Sequence, residues 1–96
     1  MEIIHLEQEN FEELIKEKVL VDFYADWCGP CKMLSPILEK FPSPIKVIKV
    51  NVDTHENLAR KYGVMSIPTL ILFDSGKEIK KNIGFIGESQ LEHFLK

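Results

Sequence analysis

The chain opens with Ile3, Ile4 and Leu6, a short apolar run that predicts a first strand. Asn10 and Glu13 then supply an N-cap and its capping-box partner, while Phe11, Leu14 and Ile15 fall at i, i+3 and i+4. This pattern predicts an amphipathic helix running to about Lys18. Val19-Leu20-Val21-Asp22-Phe23-Tyr24-Ala25 is apolar on both alternating faces except at Asp22, as in a strand covered on both sides and central in its sheet. Residues 26–31 break the strand, and helical spacing resumes over 32–41, with Pro36 inside the helix and expected to kink it. Pro42 and Pro44 end that helix, and residues 45–52 read as another strand. Strand, helix and strand in this order make a βαβ unit, almost always right-handed and parallel. Asp53 and Glu56 repeat the capping-box spacing, and Gly63 is placed to close a helix of about two turns as its C′ residue.

Residues 69–73 and 78–83 flank Asp74-Ser75-Gly76-Lys77, which has hairpin turn chemistry, so these two strands are expected to be antiparallel. After Gly84, residues 88–96 place Leu91, Phe94 and Leu95 on one face of a terminal helix. The predicted order is β-α-β-α-β-α-β-β-α: an α/β chain with a central, mixed, four- to five-stranded sheet flanked by helices on both faces. Met33, Leu34, Phe73 and Phe94 read as core. No internal repeat, linker or low-complexity tract interrupts the pattern, and 96 residues fit a single domain spanning 1–96. Size scaling gives such a chain a folded surface of roughly 5,700 Å², with about 65% of the extended chain's surface buried, so the core needs no staple.

Composition narrows the function classes. Hydrophobic residues at 45% and charged ones at 28% exclude a disordered or collagen-like chain. Lys and Arg number 12 against 15 Asp and Glu, a net charge of −3, and the charges are scattered. No basic stripe exists to hold a phosphate backbone, so no nucleic-acid partner is expected. The longest apolar run, 67–73, falls far short of the ~20 residues of a membrane helix. The start, Met1-Glu2-Ile3-Ile4-His5-Leu6-Glu7, shows no basic n-region, apolar h-region or small-residue cleavage site, so a cytoplasmic chain is expected, with a monomer as the default.

Both cysteines lie together as Cys28-Gly29-Pro30-Cys31. A structural staple is the bland reading, but so short a loop yields only about 2 kcal/mol by the loop-length relation, against ~4.7 for a hundred-residue loop. Zinc usually takes four ligands, and His5, His55 and His93 lie in different predicted elements with none at finger spacing, so no metal is expected. Redox chemistry fits better. Side chains at i and i+3 of a helix stand about 5–6 Å apart, within the roughly 4.4–6.8 Å Cα range that a disulfide accepts. The bond can therefore open and close with little backbone movement. Cys28 sits where strand gives way to helix, and the unpaired N–H groups and positive dipole end there favour its thiolate, lowering its pKa below the free value of about 8.5. Cys31, one turn deeper, faces the protein body and is expected to stay protonated until needed. Pro30 pre-sets φ in the first turn and stiffens the loop.

Three neighbours of this motif carry two readings each. A carboxylate in an apolar central strand costs several kcal/mol if ionised and unpaired, and burial raises its pKa above about 3.9. Asp22 is thus a candidate acid/base, or a structural carboxylate satisfied by local hydrogen bonds. Lys49 shares a strand face with Val47 and Asn51, and either pairs with Asp22 or is simply solvated. Trp27, directly before the cysteine turn, reads as partly exposed docking surface or as core.

Val21-Asp22-Phe23-Tyr24-Ala25-Asp26-Trp27-Cys28-Gly29-Pro30-Cys31-Lys32-Met33 resembles the strand and active-site motif of the thioredoxin family nearly position for position. Lys49 with Asn51 and Asp53, Tyr62-Gly63-Val64 leading into Ile67-Pro68-Thr69, and Gly84 extend the resemblance over essentially the whole chain. It implies the thioredoxin fold and a thiol–disulfide oxidoreductase that reduces protein disulfides, with a redox-active Cys28–Cys31 disulfide and no other cofactor. Residue by residue, the resemblance assigns Cys28 as the attacking thiolate, Cys31 as the resolving thiol, Asp22 as the buried acid/base with Lys49 as its candidate partner, and Pro68 as a cis-proline facing the disulfide. Trp27, Ile67 and Gly84, with Gly29 and Pro30 of the motif, would receive substrates. The implied partners are disulfide-containing substrate proteins and a flavoprotein thioredoxin reductase fed by NADPH. The chain itself has no Gly-rich phosphate loop and is expected to bind neither nucleotide nor metal. Met65 and Ser66 occupy positions that vary between members and bear on partner preference. Two other functions stay open: a glutaredoxin-like or oxidising, isomerase-like enzyme, and a binding module with idle cysteines. Gly29-Pro30 between the cysteines, and Asp22, favour the reductant.

Overall fold

A computed structural model describes all 96 residues. Its elements run β1 (Ile3–His5), α1 (Phe11–Leu14), β2 (Val19–Tyr24), α2 (Gly29–Lys40), β3 (Lys46–Asn51), α3 (Glu56–Lys61), β4 (Thr69–Asp74), β5 (Lys77–Ile83) and α4 (Glu88–Phe94), in the predicted order. One five-stranded sheet holds the strands in the order β1-β3-β2-β4-β5. β2 is its middle strand, parallel to β3 and antiparallel to β4, while β1 lies parallel to β3 and β5 antiparallel to β4.

Period-2 alternation divides the apolar residues between two cores. On one face Val19, Val21 and Phe23 of β2 join Ile48, Val50, Ile71 and Phe73 beneath Phe11, Ile15 and Ala59. On the other, Leu20, Val47, Leu70 and Leu72 pack under Leu34 and Leu38 of α2 and Leu91 of α4. Asp22 alternates with Val21 and Phe23, so it belongs to the face that α2 covers, and Lys49, its register partner on β3, belongs there too. The folded surface is 5579 Å², close to the roughly 5,700 Å² that size scaling gives.

Local chemistry explains most boundaries and three departures from the sequence reading. Asn10 caps α1, accepting from Glu12 N at 3.0 Å and Glu13 N at 3.4 Å, but the helix stops at Leu14 instead of about Lys18. The β4–β5 turn is the reason: Gly76 N and Ser75 N donate to the carbonyl oxygens of Ile15 and Lys16, at 2.9 and 3.1 Å, where helical bonds would otherwise continue. The Asp53–Glu56 capping box does not form. α3 begins after His55, two residues later than that spacing needs, with no side-chain cap, and the Asp53 carboxylate instead accepts from Trp27 Nε1. Met33, expected in the core, is 62% exposed, because α2 turns Cys31, Leu34 and Leu38 inward and leaves Met33 on its outer face. Phe94 is half-buried, while Leu34 and Phe73 are fully buried as expected.

Gly63 closes α3 as predicted. Its φ is +66°, with Val64 N donating to Ala59 O at 2.8 Å and Gly63 N to Arg60 O at 3.1 Å, the paired bonds of a Schellman motif. Ser75 and Gly76, at φ 55° and 81°, form the two-residue hairpin turn whose twist matches its strands. α2 runs unbroken through Pro36.

Candidate active site

β2 ends under the N-terminus of α2, and the short connection carries Trp27 and Cys28. Cys28 is the helix N-cap: its backbone is extended, at φ −89° and ψ 112°, and its Sγ accepts the Cys31 backbone N–H at 3.2 Å. Gly29 and Pro30 open the helix, where the missing proline N–H leaves no bond unmade. Cys28 and Cys31 are joined as a disulfide with Cα atoms 5.2 Å apart. Both are buried, Cys28 at 5% and Cys31 at 2% exposure, in a small cluster with Ala25 that Tyr24, Val52 and Ile67 pack against.

The loop before β4 supplies the opposite wall. The Ile67–Pro68 peptide is cis, and the Ile67 carbonyl oxygen stands 3.9 Å from Cys28 Sγ. Gly84, at φ +98°, donates its N–H to the Pro68 carbonyl at 2.8 Å, and Asn82 Nδ2 donates to the Gly84 carbonyl at 3.1 Å. The end of β5 and the proline loop are thus tied together. Trp27 lies on the other side, 69% exposed, its ring oriented by Nε1 donating to Asp53 Oδ2 at 3.0 Å. Met65, almost fully exposed, borders Ser66 and Ile67 in the same loop.

Beneath the disulfide lies Asp22, with no exposed surface and no hydrogen-bond partner on either carboxylate oxygen. Burial pushes its pKa up to about 6, and the nearby Lys49 charge pulls in the opposite direction. Lys49 Nζ is 3.8 Å from Asp22 Oδ2, sits 4.5 Å from the centroid of the Tyr24 ring, and donates to Ser35 Oγ. The solvated reading of Lys49 is excluded by its 8% exposure. Burial and the Asp26 charge push the Tyr24 phenol up, against a hydrogen bond from Asn51 that lowers it.

Sequence positions 22, 27–31, 49, 67, 68 and 84 therefore converge on one end of the sheet. Sequence reasoning misses Asp53, Tyr24 and Ser35. Tyr24 is legible as the i+2 neighbour of Asp22 on one strand face, and Ser35 as the i+4 neighbour of Cys31 on one helix face. Asp53 reads as a cap instead. His5, His55 and His93 stand apart, and no group of three or more His, Cys, Asp or Glu side chains gathers as metal ligands. No helix is long and apolar enough to cross a membrane.

A helix-capping cysteine bonded to its i+3 partner, facing a cis-proline and backed by a buried carboxyl, defines a thiol–disulfide oxidoreductase on an α/β sheet. Comparison with known proteins agrees. The Thioredoxin family model matches residues 2–96. A thioredoxin of Chlamydia caviae is 48% identical over 87 residues, covering 86% of this chain and 85% of its own. A thioredoxin of Haemophilus influenzae is 36% identical, covering 98% and 94%. Among solved structures, a mutant thioredoxin from Halobacterium salinarum NRC-1 superposes with a TM-score of 0.91 at 35% identity, covering 98% of this chain and 88% of that one. The chain belongs to the thioredoxin family. It is a protein-disulfide reductase with a redox-active Cys28–Cys31 pair, a type of carrier that a reductase restores.

Proposed function

We propose that residues 1–96 act as one domain in which Cys28 is the attacking thiolate and Cys31 the resolving thiol. Cys28 Sγ attacks a substrate disulfide, forming a mixed disulfide and expelling one substrate thiolate. Asp22, directly or through a water, takes the Cys31 proton as general base. The Cys31 sulfur then attacks Cys28 Sγ, the Cys28–Cys31 bond closes, and the second substrate thiolate leaves. Two electrons have passed from the dithiol to the substrate. Lys49 is the cation partner of Asp22. Trp27, Gly29, Pro30, Ile67, Pro68 and Gly84 receive the substrate chain around the sulfurs.

The observation that carries this reading is the N–H of Cys31 donating to Cys28 Sγ at the start of a 12-residue helix. An anion on that sulfur gains a charge-assisted hydrogen bond and the favourable end of the helix dipole, whereas no N–H donates to the Cys31 sulfur. A cytoplasmic monomer, a flavoprotein thioredoxin reductase fed by NADPH, and disulfide-containing substrate proteins complete the proposed cycle. The chain itself needs no nucleotide or metal. Cys31→Ser is the test: it is expected to accumulate covalent, dithiothreitol-sensitive adducts with disulfide proteins, visible by non-reducing electrophoresis. No adducts from this variant, or equal adducts from Cys28→Ser, would refute the assignment.

A further inference from the structure

The exchange chemistry leaves two features at the buried side of the site unused: the Ser35 hydroxyl and a cavity beside it. Ser35 stands one turn beyond Cys31 on α2, where its Oγ donates to the Cys31 carbonyl oxygen at 3.3 Å and accepts from Lys49 Nζ. Lys49 Nζ lies 3.8 Å from Asp22 Oδ2, beyond hydrogen-bond length. Ser35, not Asp22, is therefore the group that holds the ammonium by a hydrogen bond. Next to this pair a cavity of about 240 Å³, lined by Ile3, His5, Ser35, Leu38, Glu39 and Lys49, opens between β1 and α2.

The charged and titratable groups around Asp22 and Lys49 are few. β3 supplies Lys49 itself, and β2 supplies Tyr24, whose ring lies under Nζ and whose phenol feels Asp26. α2 supplies Cys31 and, across the cavity, Glu39, while β1 supplies His5, the register partner of Lys49. β4 offers only Leu70 opposite Asp22. An ammonium is strongly hydrated, and a lysine stem lets it reach water by snorkelling. With an opening and the Glu39 carboxylate at hand, Lys49 has a route away from Asp22, and the Ser35 hydroxyl closes it.

We infer that Ser35 is a positioning residue, which ties the Lys49 ammonium beside Asp22 and so sets the pH range over which Asp22 takes the Cys31 proton. Ser35 itself exchanges no proton or electron. The inference rests on the proposed role of Asp22 as base.

Two measurements on the full chain test it, each on wild type, Ser35→Ala and Ser35→Thr. Carbon-13 NMR of the Asp22 carboxyl in the oxidised protein reports the tether directly, and the pH profile of mixed-disulfide resolution reports its chemical effect. Alanine suits a helix interior, so folding is preserved. Releasing the ammonium weakens the charge that favours the carboxylate, and Ser35→Ala is expected to raise both midpoints by about 0.5–1 pH unit. Ser35→Thr, which keeps a hydroxyl, restores them. An Asp22 midpoint that is unchanged or lower in Ser35→Ala overturns the tether. A midpoint that rises while the rate profile stays fixed overturns the link to chemistry. In that case Asp22→Asn resolving at the wild-type rate places the fault in the base assignment rather than in Ser35.

Discussion

Replacing Asp22 by Asn removes the most deeply buried charge of the sheet. Its carboxylate has no exposed surface and no hydrogen bond, and its pKa is raised from 3.8 to about 6, chiefly by desolvation. At about 1.36 kcal/mol per unit, that rise corresponds to about 3 kcal/mol between the folded and unfolded states. An acid whose folded pKa is raised holds its proton more tightly in the native protein. Stability is therefore lost as pH climbs from the unfolded value near 3.8 to the folded value of about 6, and the loss is complete above that. Asparagine keeps the shape and removes the ionisation. Asp22→Asn is expected to match wild type below about pH 4 and to exceed it by about 2–3 kcal/mol at pH 7, a rise in Tm on the order of 10 °C. Guanidinium unfolding of the oxidised protein across pH 3.5–8, followed by Trp27 fluorescence, measures the difference. An advantage that stays constant between pH 4 and 6, or a variant less stable than wild type at pH 7, would refute the raised pKa. The same substitution removes the proposed base, and resolution of mixed disulfides at pH 7 is expected to slow by about a hundredfold or more.

In the reduced protein, Cys28 is expected to alkylate with a midpoint below about 8.5, because it caps α2; stopped-flow iodoacetamide kinetics on Cys31→Ser would show it, and a midpoint at or above that value contradicts the cap as activator. Gly63→Ala forces a Cβ onto a residue at φ +66° that closes α3, and is expected to cost about 1–2 kcal/mol in equilibrium unfolding while leaving disulfide exchange unaffected. No loss of stability there would mean that the α3 end relaxes.

The parts of the fold legible in the sequence are those set by short-range pattern. Asp22 within an otherwise apolar strand marks both the central position of β2 and the buried acid, because only a strand covered on both faces loses the polar alternation. Gly63 and Gly76 announce their turns because few other residues accept positive φ. Where sequence reasoning fails, a distant partner has intervened. α1 ends early because the β4–β5 turn captures the carbonyls of Ile15 and Lys16 just beyond it, and nothing near Ile15 encodes that. Asp53 has cap chemistry, but Trp27, distant in sequence, claims its carboxylate. Met33 reads as core because an apolar residue on a helix does not reveal how the helix is rotated against its sheet. Ser35 reads as an ordinary helical serine until Lys49 arrives from the neighbouring strand.

The near-complete enclosure of the sulfurs bears on which molecules are served. With Cys28 showing about a twentieth of its area, a colliding small thiol meets mostly carbon and backbone, and few orientations lead to bond exchange. Under the proposed docking, a protein segment laid between Trp27 and the proline loop would arrive already aimed. Selectivity of this kind would come from the angle of approach, and would separate macromolecular clients from low-molecular-weight thiols without any tight binding.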